Sequence, residues 1–433
     1  MGVFVAVYGV LAAEIAAAQS LIRDAEIENT LKEIAGPVLR AAGLGTSSVN
    51  IYIVNSPELN AFVAGGNNIF LNTGLIRRLD TIDQLQAVIA HETGHITGGH
   101  LARRNQAMRS AKGAVLIGLL ASAAAAASGE GDLAAGLGTL TTEAARRNLL
   151  AHTRSEEGSA DQASVRYMVG AGADPRAALE VMQIFRGQEI LSNSRQDPYV
   201  RSHPIWSQRI TLLEERVANA PRGKPRSSGE EYRHRRMVAK FDGFIDNPSR
   251  VLKDYNGNGE LDVLARAVAY HRLPNVKKSL ENINALLKAR PNDPFYHELK
   301  GQFLIEGGKA TEAVGSYRKA VALAPGEPLI LAGLGRALVA TGTPGAMREA
   351  VGILEKSNRL DPANARALQD LGRAYAATGN PGQASLVTAE RYALSGRFRD
   401  AEIHATRASK LLPNGSPGWR RAQDILVVAK RAG

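Results

Sequence analysis

The chain contains no cysteine. That absence excludes a disulfide framework, a thiolate metal site and a cysteine nucleophile, and it suits an oxidising compartment. Aromatic residues are scarce, 5% of 433 positions, and no aromatic–basic platform for stacking nucleic-acid bases appears. The net charge is +11, but the basic residues are spread through helical stretches rather than gathered into a patch. Nucleic acid is therefore set aside as a partner, and a surface compatible with anionic membranes or acidic partners is the milder reading. Long apolar runs are also missing. After Lys112 one uncharged stretch runs from Gly113 to Ser128 and another from Leu133 to Thr142. The first falls short of the ~20 apolar residues of a membrane span and is mostly alanine and glycine. The pair reads as a flap over 112–142 that touches a membrane surface, with a transmembrane hairpin as the alternative.

Against these absences stands one stretch, Gln84 to His95, containing His91-Glu92-Thr93-Gly94-His95. Two histidines four residues apart share a helix face, with a glutamate beside the first. Paired imidazoles of this kind can hold one Zn²⁺ and leave a position open for water, whose proton the adjacent carboxylate can take. The surroundings predict a helix: Thr81 and Gln84 form a capping box, and Ile82, Leu85, Val88 and Ile89 recur at helical spacing.

The rest of the chain divides by composition. Residues 1–20 are apolar and alanine-rich and end in Ala16-Ala17-Ala18-Gln19, the pattern of a secretory signal peptide, although no Lys or Arg precedes the run and Glu14 interrupts it; an ordinary N-terminal helix is the alternative. A first domain is expected over 21–217: a helix from Leu21 to Ala42, a strand from Val49 to Val54, and two strands, Asn60–Ala64 and Asn68–Asn72, joined by Gly65-Gly66-Asn67. Such a sheet beside a metal-binding helix offers an edge for an extended peptide. Residues 218–260, rich in Pro, Gly, Ser, Arg and Glu, read as a linker. From 261 to 433 turn signals recur at Pro291 and Pro325, 34 positions apart, and again at Asp361-Pro362, which is the tetratricopeptide period. The expected fold is mainly α, a helical domain with a small β-sheet followed by an α-solenoid of four or five repeats with a concave surface.

Two histidines leave the metal short of a protein ligand. His100 lies half a turn out of phase with His91 on a continuous helix, so it reads better as a polar tether between helices. His152 has no supporting pattern. Glu157 begins a helix with Asp161 four residues on, which puts both carboxylates on one face. One could ligate the metal while the other orients an imidazole through its second nitrogen; an ordinary acidic helix start is the alternative.

The combination of His91-Glu92-Thr93-Gly94-His95 with Glu157-Gly158-Ser159-Ala160-Asp161 resembles the HtpX and CAAX-prenyl-protease family of zinc metallopeptidases. Asn60-Ala61-Phe62, Thr73-Gly74-Leu75, His203-Pro204 and Arg209 resemble that family too. Gly158-Ser159 stands where the family commonly has longer polar residues. With a signal peptide and a C-terminal repeat array, the architecture is similar to the BepA-type periplasmic proteases. The resemblance implies that His91, His95 and Glu157 hold zinc, that Glu92 is the general base, and that Asp161 supports the ligands from behind. Arg209 and His203 become candidates for stabilising the oxyanion, His203 alternatively for closing the open metal position, and Asn60, Ala61 and Phe62 for holding substrate. It implies a periplasmic zinc endopeptidase, peripheral to the outer membrane, that acts on misfolded or stalled envelope proteins and meets the outer-membrane assembly machinery through its repeats. A chaperone or adaptor working through the solenoid, and a membrane-embedded protease of the HtpX kind, are the competing readings.

Overall fold

The computed structural model describes residues 21–103, 154–188, 195–205 and 207–432. The expected signal peptide, the flap over 112–142 and His152 lie outside the described residues. Those residues are mainly helical with one small sheet. Two compact units result: Leu31–Glu231, and Tyr232–Gly433 together with residues up to Thr30.

In the first unit, strand Asn50–Val54 pairs in parallel with Asn68–Asn72, which pairs antiparallel with Ala61–Ala64. The hairpin turns at Gly65 and Gly66, both at positive φ, where a side chain would be strained. Ala61–Ala64 forms the sheet edge. The helix Ile82–Thr97 packs against the hairpin. It is not amphipathic: every residue from Gln84 to His95 is buried. Its polar side chains are satisfied locally. Thr93 Oγ1 donates to the Ile89 carbonyl at 2.7 Å and Gln86 Nε2 to the Ile34 carbonyl at 2.7 Å. Thr81 caps the helix by accepting from the Gln84 N–H at 3.2 Å, while Gln84 reaches back to the Asp80 N–H at 2.8 Å.

In the second unit, helices follow one another in antiparallel-type pairs, from Glu260–Arg272 with Val276–Ala289 to Phe398–Leu411 with Pro417–Ala432. Asp293 caps one helix by accepting from the Phe295 and Tyr296 N–H groups at 3.0 and 3.1 Å, with Pro294 in the first turn. The stack is tight because small residues face large ones. A Cβ on Gly301 would lie 2.5 Å from the Tyr317 ring, so an alanine there has no room.

The expected linker is a different object. Residues 218–260 include helices Ser228–Ile245 and Pro248–Asp254, and the first buries Met237 and Phe241. Its start is a reciprocal capping box: the Ser227 N–H donates to Glu230 Oε2 at 2.9 Å and the Glu230 N–H to Ser227 Oγ at 3.2 Å. Among the described residues no helix is long and apolar enough to cross a membrane.

Candidate functional site

The site is built where two helices touch without side chains between them. A Cβ on Gly94 would lie 3.0 Å from the Ala160 Cα and carbonyl oxygen. The helix over 154–171 thus comes close to Ile82–Thr97 at one point, and Glu157 and Asp161, flanking Ala160, reach the two histidines.

His91 and His95 point their Nε2 atoms at each other, 3.1 Å apart. Glu157 lies between them, Oε2 3.2 Å from His91 Nε2 and Oε1 3.4 Å from His95 Nε2. His203, which follows the short helix Pro198–Ser202, brings Nδ1 to 3.3 Å from His91 Nε2 and 3.2 Å from Glu157 Oε1. These four residues are buried, and one ligand atom from each lies within 4.8 Å of the others. A tetrahedral ion bound by nitrogen and oxygen at 2.0–2.1 Å has ligand–ligand edges of about 3.3–3.4 Å, and the five quoted separations span 3.1–3.4 Å. The donor set therefore fits a metal ion.

The outward nitrogens are held from behind. His91 Nδ1 lies 3.1 Å from Asp161 Oδ1, and His95 Nδ1 lies 2.8 Å from His100 Nδ1. Asp161 is itself gripped by Arg209, whose Nε and Nη2 donate to Oδ2 and Oδ1 at 2.6 and 2.8 Å.

Electrostatics follow this wiring. Burial would lower the His91 imidazole, but its bonds to Asp161 and Glu157 outweigh burial and lift it to about 9. His95, buried and facing the His91 cation, is pushed well below the usual imidazole range. Burial works to raise Glu157 and Asp161, yet the neighbouring His203 and Arg209 hold Glu157 well below the carboxylate range, and Arg209 lowers Asp161. Glu92 is fully buried with neither carboxyl oxygen in a hydrogen bond among the described residues, and burial raises it. Its Oε1 is 3.3 Å from His203 Nε2. A buried carboxyl held beside a cleft with no hydrogen bond on either oxygen is poised to take a proton from water. The cleft, lined by Phe62, Val63, Glu92, His95 and His203 among others, has a volume of about 50 Å³, room for a water or two.

Of the residues singled out from sequence, His91, Glu92, His95, Glu157, Asp161, His203 and Arg209 come together here. Arg209 has a task other than the one expected. Besides Asp161, its Nη1 lies 3.0 Å from Glu157 Oε2 and donates to the Pro204 carbonyl at 3.1 Å, so the guanidinium is engaged behind the ligands rather than aimed into the cleft. The backbone carbonyl of Asn60 accepts from the Asn72 N–H at 3.0 Å, and its side-chain Oδ1 accepts from Oγ of Ser202, a cleft-lining residue, at 3.4 Å. The Phe62 ring stacks on Phe70 with centroids 5.0 Å apart and lines the cleft. Ala61 presents its carbonyl 3.3 Å from His203 Nε2. His100, expected as a polar tether between helices, does lie between His95 on one helix and Ser159 on the other; sequence reasoning missed Val63, which strand alternation could have found, and Ser159, for which there is no local signal.

Residues 22–217 match the family model for peptidase family M48. The chain is 27% identical over 332 residues to the beta-barrel assembly-enhancing protease of Escherichia coli K12, covering 75% of this chain and 67% of that protein. It is 24% identical over 338 residues to the protein of the same name from Yersinia pestis, covering 76% and 69%. A shorter match, 36% identical over 78 residues, covers 17% of this chain and 26% of the protease HtpX homolog of Nitrosomonas europaea. Residues 22–217 are accordingly a domain of peptidase family M48, and the chain is a metalloprotease.

Proposed function

We propose that the chain is a zinc-dependent endopeptidase acting on extended segments of misfolded or stalled envelope proteins. The observation that carries this reading is the buried cluster of His91, His95, Glu157 and His203, with one ligand atom of each within 4.8 Å of the others. Three imidazoles and one carboxylate suit zinc among the divalent ions. When bound there, zinc supplies Lewis-acid activation of water and of the scissile carbonyl.

The chain's own residues do the rest. Glu92 takes the proton of the attacking water and hands it to the leaving amine, its raised carboxyl suiting both halves. Asp161 and Arg209 hold His91 and Glu157 in place. His203 closes the side of the cage where water must enter, so it has to withdraw before turnover. The edge strand supports how this happens. Asn60 and Asn72 form a hydrogen-bonded pair, so with the register Ala61↔Leu71 and Val63↔Ile69 the backbone groups of Ala61 and Val63 face outward. A peptide adding antiparallel to them competes with His203 for the Ala61 carbonyl. Substrate docking and release of His203 are then one event.

The relatives named for beta-barrel assembly support a place in outer-membrane protein assembly and quality control. On this reading the protein works in the periplasm, peripheral to the outer membrane, and its helical repeats recruit the assembly machinery. The test is Glu92→Gln. It should abolish cleavage of an unfolded protein such as casein, by roughly 10²–10⁴-fold, while one Zn²⁺ stays bound. Cleavage that persists in this variant, or that survives removal of metal, overturns the reading.

A further inference from the structure

The metal-facing lone pair of His95 exists only when the ring proton sits on Nδ1, and the residue bonded to Nδ1 decides this. For His91 that residue is the carboxylate of Asp161, an acceptor in every ionised state. For His95 it is another imidazole, His100, which could equally donate or accept. The ambiguity is resolved one residue further out. Ser159 has a single hydroxyl proton, and Oγ donates it to the Glu156 carbonyl at 2.9 Å. Toward His100 Nε2, 3.0 Å away, Oγ can then only accept, so the His100 proton sits on Nε2. His100 Nδ1 becomes the acceptor, and the bond between the two rings places the His95 proton on Nδ1.

We propose that Ser159 and His100 are a positioning relay that fixes the tautomer of His95 and thereby frees its Nε2 for the metal. The relay is built into the packing. His100 is 1% exposed, and a Cβ on Gly98 would overlap its ring at Nε2, so the glycine makes the space in which the imidazole lies. The relay gives Ser159, on the helix that carries Glu157, a purpose: one helix delivers a ligand and sets the tautomer of another.

The inference rests on the metal-centre reading, and the experiment separates the two. Metal-free protein labelled with ¹⁵N-histidine reports the tautomers directly, and competition against a chromophoric chelator gives Zn²⁺ and Co²⁺ affinity. In the wild type His95 should carry its proton on Nδ1. Ser159→Ala, which removes one hydroxyl, should mix the tautomers and weaken metal binding roughly tenfold, and His100→Leu should weaken it by up to about 100-fold. Ser159→Thr keeps the hydroxyl, and His100→Asn keeps an acceptor oxygen toward His95; both should stay within about threefold of wild type. A general packing defect would not be rescued in this pattern. Wild-type affinity in both Ser159→Ala and His100→Leu, or a His95 proton on Nε2 in the unaltered protein, overturns the relay. A wild-type protein that binds neither ion overturns the metal centre, and the spectra then still decide the relay.

Discussion

Arg209 is a buried cation, 4% exposed, whose nitrogens grip Asp161 and approach Glu157. Removing one member of such a buried pair leaves the other charge uncompensated, which costs about 3–5 kcal/mol. Arg209→Ala should therefore lower the unfolding free energy of metal-free protein, read from its urea curve, by that order. A residue serving only the oxyanion would leave the metal-free midpoint unchanged, so unfolding curves recorded in EDTA distinguish the two. At this scale the sequence was readable only where geometry is local. His91, Glu92 and His95 could be assembled from their spacing, because four residues make one helical turn wherever the helix sits. Glu157 could not, because its place beside them depends on a helix crossing; the residues alone favoured an ordinary acidic helix start, and a family resemblance singled it out. The direction of the Arg209 fork depends on Asp161, 48 positions away, and nothing in the residues around Arg209 encodes it.

The crossing of the two helices depends on the absence of a side chain at Gly94. An alanine there would press against the Ala160 backbone at 3.0 Å, and backbone yields less readily than a side chain, so the helices must part by a few tenths of an ångström. Gly94→Ala should destabilise the fold by about 1–3 kcal/mol, as overpacking does. It should also weaken Zn²⁺ binding, because Glu157 moves with its helix away from both rings; chelator competition and urea unfolding measure the two effects. The glycine inside the histidine motif carries no mark of this in the sequence, where it reads as an imperfect helix former. The helix Ser228–Ile245 is the opposite case. Its signal, Ser227 with Glu230 three residues on, was present, but the Pro, Gly and Ser around it made the stretch look like a linker. Composition averages over a window, whereas a cap acts at one residue. The solenoid helices were legible because proline and acidic caps mark their starts repeatedly, as at Asp293-Pro294 and Glu327-Pro328.

At the scale of the whole chain, the repeat unit also includes the segment that precedes Leu31. Asp24 and Glu26 hold Lys240 at 2.8 and 3.1 Å, Arg236 pairs with Glu26 and Asp293, and Arg23 reaches Asp361 at 2.7 Å. Contacts across some 338 positions leave no periodic trace, which is why this segment read only as the start of the first domain. Glu298 belongs to the same charged cluster, and its Oε2 is shut from solvent without a hydrogen bond among the described residues. Burial raises its carboxyl, the Lys240 cation opposes, and Asp24 and Glu26 add to the rise, leaving it at about 8. An unfolded chain releases that proton near pH ~4.3. Between these values the folded protein binds a proton that the unfolded chain does not, so the stability this site contributes is full below about pH 4 and is lost as pH rises through 8. Glutamine has nearly the shape of the protonated acid and cannot ionise. Glu298→Gln should match the wild type in urea unfolding at pH 4, then become progressively more stable as the pH rises, by up to about 5 kcal/mol at pH 9. A difference that stays flat from pH 5 to pH 9 would show that this carboxyl ionises alike in the folded and unfolded chain. Because cleavage chemistry resides in the other unit, the casein-cleaving activity of folded Glu298→Gln should equal that of the wild type across the same range.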